Sequence, residues 1–190
     1  MNALMKWCST CSRWLAWLGG LALLCSAVLI SLDVVFRAIW NANYFESFEL
    51  STYAFAIATA TGMSYALVSK AHIRIELLYI KLSPKWRAWL DVWAYTGLAV
   101  VSITLVYWCA QTVFGNIDTG ARSNTSLAIP LAIPQSMWLL GLLWLAVVST
   151  LFALFGLIKV MTGRHEEANH KLGMASLQEE IEAGIRKELK

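Results

Sequence analysis

Four long stretches of this 190-residue chain are almost free of charge. Trp14 to Phe36 carries one charged residue, Asp33, close to its end. Leu50 to Ser69, Val92 to Ile117 and Ser123 to Ile158 carry none. A helix needs roughly 20 mostly apolar residues to cross a bilayer. Backbone polar groups in hydrocarbon are satisfied only inside helices or closed barrels, and continuous apolar runs lack the alternation of a barrel strand. The pattern predicts an all-α integral membrane fold with four transmembrane helices, at about residues 14–36, 48–69, 88–115 and 135–159. Pro130 and Pro134 mark an extended approach to the last span, so its helix is expected to begin near Gln135. The chain is 58% hydrophobic and 14% charged. Soluble domains are about 45–50% apolar and about 25% charged. A core of this size cannot hide the surplus, and disorder is excluded by the same figures.

Orientation is read from Lys and Arg. Two lie before the first span, five between spans two and three, and six from Lys159 onward, whereas the other two loops hold only Arg37 and Arg122. Thirteen of 15 basic residues thus share one side, which places both termini and the middle loop in the cytoplasm. The net charge of +3 is accounted for by topology and calls for no nucleic acid. Trp14, Trp17, Trp40, Trp86 and Trp89 fall near span ends, where amphipathic rings favour the headgroup region. Trp108 and Trp144 are deeper and are expected to face lipid or a partner. The first apolar run exceeds the roughly 7–15 residues of a signal peptide and no A-x-A site follows, so it is read as retained.

Residues 1–160 thus form the membrane domain, and 161–190 a charged cytoplasmic tail. In the second span Ala54, Ala58, Gly62 and Ala66 recur every fourth residue, a ridge that lets helix backbones approach closely. It serves either packing within this chain or docking to another membrane protein. Between spans two and three, residues 72–83 carry two apolar stripes, Ile73, Leu77, Ile80 and Ile75, Leu78, Tyr79, Leu82. A helix lying in the interface, with protein on one side and lipid on the other, fits them. A strand there would leave its edges unpaired. In the tail, Leu177, Ile181, Ile185 and Leu189 make a narrow stripe suited to a short helix.

Charged residues near membrane are candidates for function by default. Asp33 and Arg37, four apart, can meet on one helix face. Glu46 and Glu49 stand at the start of the second span, where an Arg37–Glu49 pair would clip the first two spans together. A structural ion pair is preferred to a proton relay, because no carboxylate lies at mid-span. His72, His165 and His170 all lie outside the spans, which excludes a transmembrane bis-His haem site. Cys8 and Cys11 form a lone C-x-x-C on the predicted cytoplasmic side, the wrong side for disulfide generation. Neither a phosphate loop nor a Ser/His/Asp set is present. The chain is read as non-enzymatic, without metal or cofactor. Two other classes remain in view: a homodimeric proton-coupled multidrug exporter relying on Glu49, and a four-span disulfide-generating redox protein.

An ordered set of segments adds a further reading. Val34-Val35-Phe36-Arg37 closes the first span, Phe48-Glu49-Leu50 opens the second, and Gly62 sits within it. Lys70-Ala71-His72-Ile73-Arg74-Ile75-Glu76-Leu77-Leu78 follows, then Gly120-Ala121-Arg122-Ser123 and Leu127-Ala128-Ile129-Pro130. The set resembles the small membrane subunit (DctQ type) of tripartite ATP-independent periplasmic, or TRAP, transporters, with Glu76 standing where an Asp is common. The resemblance implies a bacterial inner-membrane subunit paired with a large permease that carries the substrate and sodium sites. It also implies a periplasmic binding protein delivering an organic acid anion. Asp33, Arg37, Glu49, His72, Arg74, Arg122, Pro130 and the small-residue ridge are then structural or partner-facing positions, and lipid is a further partner.

Overall fold

A computed structural model describes residues 2–40, 46–70 and 82–163. Among them are four helices: α1 (Asn2–Trp40), α2 (Ser47–Val68), α3 (Pro84–Thr119) and α4 (Ala132–Met161). The surface helix expected over 72–83, with His72 and Arg74, lies outside the described residues apart from its last two positions. So does the tail beyond Gly163.

Three of the helices are long and apolar enough to cross a membrane by length and composition: α1 over Leu4–Trp40, α3 and α4. At 1.5 Å per residue α1 is about 58 Å long, well beyond the ~30 Å hydrocarbon core. Helix α2 has 22 residues, enough in length, but its Ser and Thr residues lower its hydropathy. Those hydroxyls are not stranded. Thr52 donates to the Phe48 carbonyl, Thr59 to Phe55, Thr61 to Ile57 and Ser64 to Thr61, the usual return bond of a mid-helix hydroxyl.

Helix ends follow local chemistry. Pro84 opens α3, where its missing N–H costs nothing. Gly120, at φ 62°, ends α3 in the left-handed conformation. Helix α4 begins at Ala132 rather than near Gln135. Pro134 falls in the first turn, where proline is tolerated, so it does not delay the helix.

The helices pack in the spatial order α1, α2, α4, α3. Two glycines set the spacing around α2. A Cβ added at Gly19 of α1 would stand 2.6 Å from Thr61 Oγ1 and 2.9 Å from Ala58 Cα. One added at Gly141 of α4 would stand 2.7 Å from Ala60 Cβ. No real side chain tolerates such distances, so α2 is gripped closely from both sides. On the far side of α4, Ser149 shares a hydrogen bond of 3.1 Å with Ser102 of α3, both fully buried. The rings of Tyr95 and Phe152 lie 5.5 Å apart beneath it.

The N-terminal turns of α1, ahead of the expected span, continue as helix and join the core. Cys8 is buried with Leu67, Tyr95, Leu145 and Phe152. Trp144, one of the two deep tryptophans, turns to α1 and donates Nε1–H to Ser12 Oγ at 2.9 Å. Trp108 stays 65% exposed.

Candidate functional site

Polar side chains from three separate stretches of chain converge where α1 ends and α2 begins. The last turns of α1 contribute Asp33 and Arg37. Their spacing of four brings Arg37 Nη2 to 2.6 Å from Asp33 Oδ2. The first residue of α2, Ser47, donates to the same oxygen at 2.7 Å. Asp33 is 1% exposed, and its other oxygen, Oδ1, is a buried atom without a hydrogen-bond partner. A carboxylate this deep is tolerable only when held by charge and hydrogen bonds.

Glu49, in the first turn of α2, has the sign that a helix N-terminus favours. Its Oε1 accepts from the Tyr53 hydroxyl at 2.5 Å, and its Oε2 accepts from Thr125 Oγ1. One turn earlier, Glu46 Oε1 accepts from Ser126 Oγ at 2.7 Å. Two residues of the α3–α4 loop are thereby fastened to two carboxylates at the start of α2, Glu46 at its N-cap and Glu49 in its first turn.

That loop is itself a small folded unit. Arg122 and Pro130 face each other in an antiparallel bridge. Ser123 N–H donates to the Ile129 carbonyl at 2.9 Å, and Leu131 N–H to Ala121 at 3.0 Å. Arg122 Nη1 caps the Ala128 carbonyl at 3.0 Å. Ala128 adopts φ 46°, an uncommon conformation for a residue with a Cβ, and this turn presents Thr125 and Ser126 to α2. Behind the loop, Asn116 of α3 donates to Gln135 of α4 at 2.7 Å.

The arrangement is a clamp. Every carboxylate in it accepts from a named donor, and together they tie α1, α2 and the α3–α4 loop into one unit. The clip between α1 and α2 runs through Asp33 and Ser47 rather than through Arg37 and Glu49. Helical spacing favours Asp33 as the Arg37 partner, and the donors on Glu49 come from its own helix and from the distant loop. The small-residue stripe of α2 is divided. Ala58 is buried against Gly19, whereas Ala54, Gly62 and Ala66 are only partly buried. Space for a side chain at Gly62 is open, and the close approaches fall at Ala58, Ala60 and Thr61 instead.

Ser47, Thr125 and Ser126 carry no signal in the sequence, because their roles depend on how the loop folds back. Two more buried charges lie at the opposite end, Asp91 at 1% exposure and Lys159 at 8%. Helical phase could have revealed Asp91. It shares the buried stripe of Ala88, Val92, Tyr95, Ala99 and Ser102. Cys8, Cys11, Cys25 and Cys109 are free thiols. Among the described residues no three His, Cys, Asp or Glu side chains gather where they could hold a metal.

Comparison with known families adds one finding. The family model for tripartite ATP-independent periplasmic transporters, DctQ component, matches residues 26–161. This stretch contains the clamp and all of α2, α3 and α4. No curated protein and no solved structure gives a significant match.

Proposed function

The chain belongs to the DctQ family, the small membrane component of TRAP transporters, and from that premise we propose that it scaffolds the large permease subunit. It is a non-catalytic component of a tripartite transport system. In the proposed role it supports sodium-driven uptake of an organic acid anion delivered by a periplasmic binding protein. The large subunit holds the substrate and sodium sites, and this chain supplies a fixed body against which that subunit moves.

One observation carries this reading: α2 is gripped by Gly19 and Gly141 and pinned at its N-terminus to the α3–α4 loop. An element so restrained suits a static support. The charge asymmetry of the loops supports a bacterial inner-membrane location with both termini cytoplasmic, and hence a periplasmic clamp. On this reading α2 is also a span, the second of four, and residues 72–83 lie along the cytoplasmic interface. The exporter alternative needs a carboxylate that binds and releases protons. Glu49, fastened by Tyr53 and Thr125, is poorly placed for that.

The test is reconstitution. The large subunit should co-purify with this chain, and uptake should require both. Full uptake by the large subunit and binding protein alone would overturn the proposal.

A further inference from the structure

Beside the Gly19 contact, α1 and α2 leave a groove of about 560 Å³, lined by Arg13, Trp17, Gly20, Leu24 and Tyr65 among others. Two adjacent glycines create it by doing opposite things. Gly19 draws α1 onto α2, whereas a Cβ at Gly20 would meet nothing within 4 Å, so a recess opens next to the tightest contact. The recess is apolar along its length and ends at one cation, Arg13. Trp17, 72% exposed, and Leu24, 68% exposed, form its outward wall.

We propose that this groove binds one phospholipid, with an acyl chain along Gly20 and Leu24 and the phosphate on Arg13. Three observations select a lipid over a helix of another protein. First, the groove has the length of one leaflet. Arg13 and Leu24 are eleven residues apart, about 16 Å of helix, and half of a ~30 Å hydrocarbon core is about 15 Å. A transmembrane helix would need a groove through both leaflets. Second, Arg13 closes the groove immediately before the first span expected from the sequence, 14–36, and one turn before Trp17, where headgroups are expected to lie. A guanidinium there offers paired N–H donors to a phosphate, whereas a partner helix would have to bury it. Third, Arg13 makes no hydrogen bond or ion pair with the described residues. Lys6, seven residues earlier and so on the same helical face, adds positive charge on the headgroup side.

This inference needs only a membrane-embedded chain, not the scaffolding role, and the two are tested separately. The full-length chain is reconstituted in nanodiscs containing phosphatidylglycerol or, as a phosphate-free probe, diacylglycerol. It is then released for native mass spectrometry. The wild-type chain should retain one phosphatidylglycerol and little diacylglycerol. Gly20→Phe fills the recess and should abolish retention without lowering the melting temperature. Arg13→Gln should cut phosphatidylglycerol retention about tenfold, the scale of one charge-assisted hydrogen bond, and bring it level with diacylglycerol. Undiminished retention in Gly20→Phe, or an undiminished preference for the phosphate in Arg13→Gln, would overturn the proposal. So would a disulfide between Gly20→Cys and a cysteine placed in the large subunit of the assembled complex, since the groove would then hold protein.

Discussion

Ser47 Oγ stands 2.7 Å from Asp33 Oδ2, and this single hydrogen bond joins the last turns of α1 to the first residue of α2. Its acceptor is a carboxylate with one oxygen already lacking a partner. Ser47→Ala removes a donor the site cannot replace. Interhelical hydrogen bonds in membrane proteins contribute about 0.6 kcal/mol on average and up to about 1.7. A loss near 1 kcal/mol lowers the melting temperature of a chain this size by about 2–4 °C. Ser51→Ala is the control, because Ser51 donates only to the Phe48 carbonyl of its own helix. Equal melting temperatures for Ser47→Ala and wild type would deny the clip any energetic role.

Arg37→Ala should do more damage than Ser47→Ala. It withdraws the compensating charge from a carboxylate that is 1% exposed, and breaking one half of a buried pair costs about 3–5 kcal/mol. The exposed guanidinium of Arg37 reduces that figure through solvent screening. Lower complex yield or uptake is the expected readout, with Asp33→Asn added to Arg37→Ala restoring part of it. If the double variant behaves no better than the single one, Asp33 is not the partner that matters.

Gly141→Ala and Gly62→Leu should separate internal packing from docking. The first places a Cβ 2.7 Å from Ala60, an overpacking that costs about 1–3 kcal/mol and should be visible in the isolated chain. The second enters open space and should leave isolated-chain melting unchanged. If the large subunit docks along this stripe of α2, Gly62→Leu lowers the yield of the complex. An unchanged yield removes that stripe from the interface.

Thr125→Val keeps the side-chain volume and deletes the donor to Glu49 Oε2. The α3–α4 loop should loosen from α2 while its internal bridge survives. Hydrogen exchange should therefore quicken at Ser126 and Ala128 and change little at Ser123 and Leu131, whose N–H groups are held by Ile129 and Ala121. Uniform acceleration across the loop would show that the attachment to α2 holds the bridge together as well.

The bundle was legible in the sequence wherever one physical rule governed a whole segment. Long uncharged runs led directly to α1, α3 and α4, because hydrocarbon tolerates little else. Helical spacing put Asp33 beside Arg37. Legibility failed where partners are brought together by tertiary folding. Nothing local distinguishes Thr125 from other loop threonines, and the choice of Ser47 over Glu49 as the link to α1 depends on the turn between the helices. The small-residue stripe was visible, but sequence spacing could not tell which side neighbours would use. Close contact fell on Ala58, Ala60 and Thr61. Pro134 misled for a different reason: proline signals a helix boundary, yet the first turn accommodates it.

The spatial order α1, α2, α4, α3 constrains how the molecule is made. Of the four described helices, the last to leave the ribosome occupies the gap between two already synthesised. Until α4 arrives, Ala60 and Thr61 on one side and Ser102 on the other have no partner across that gap. A nascent chain halted after α3 thus lacks the helix that makes most of the contact between the α1–α2 pair and α3. Completion of the four-helix bundle is therefore an insertion event, in which Gly141 and Ser149 of one helix close both halves at once.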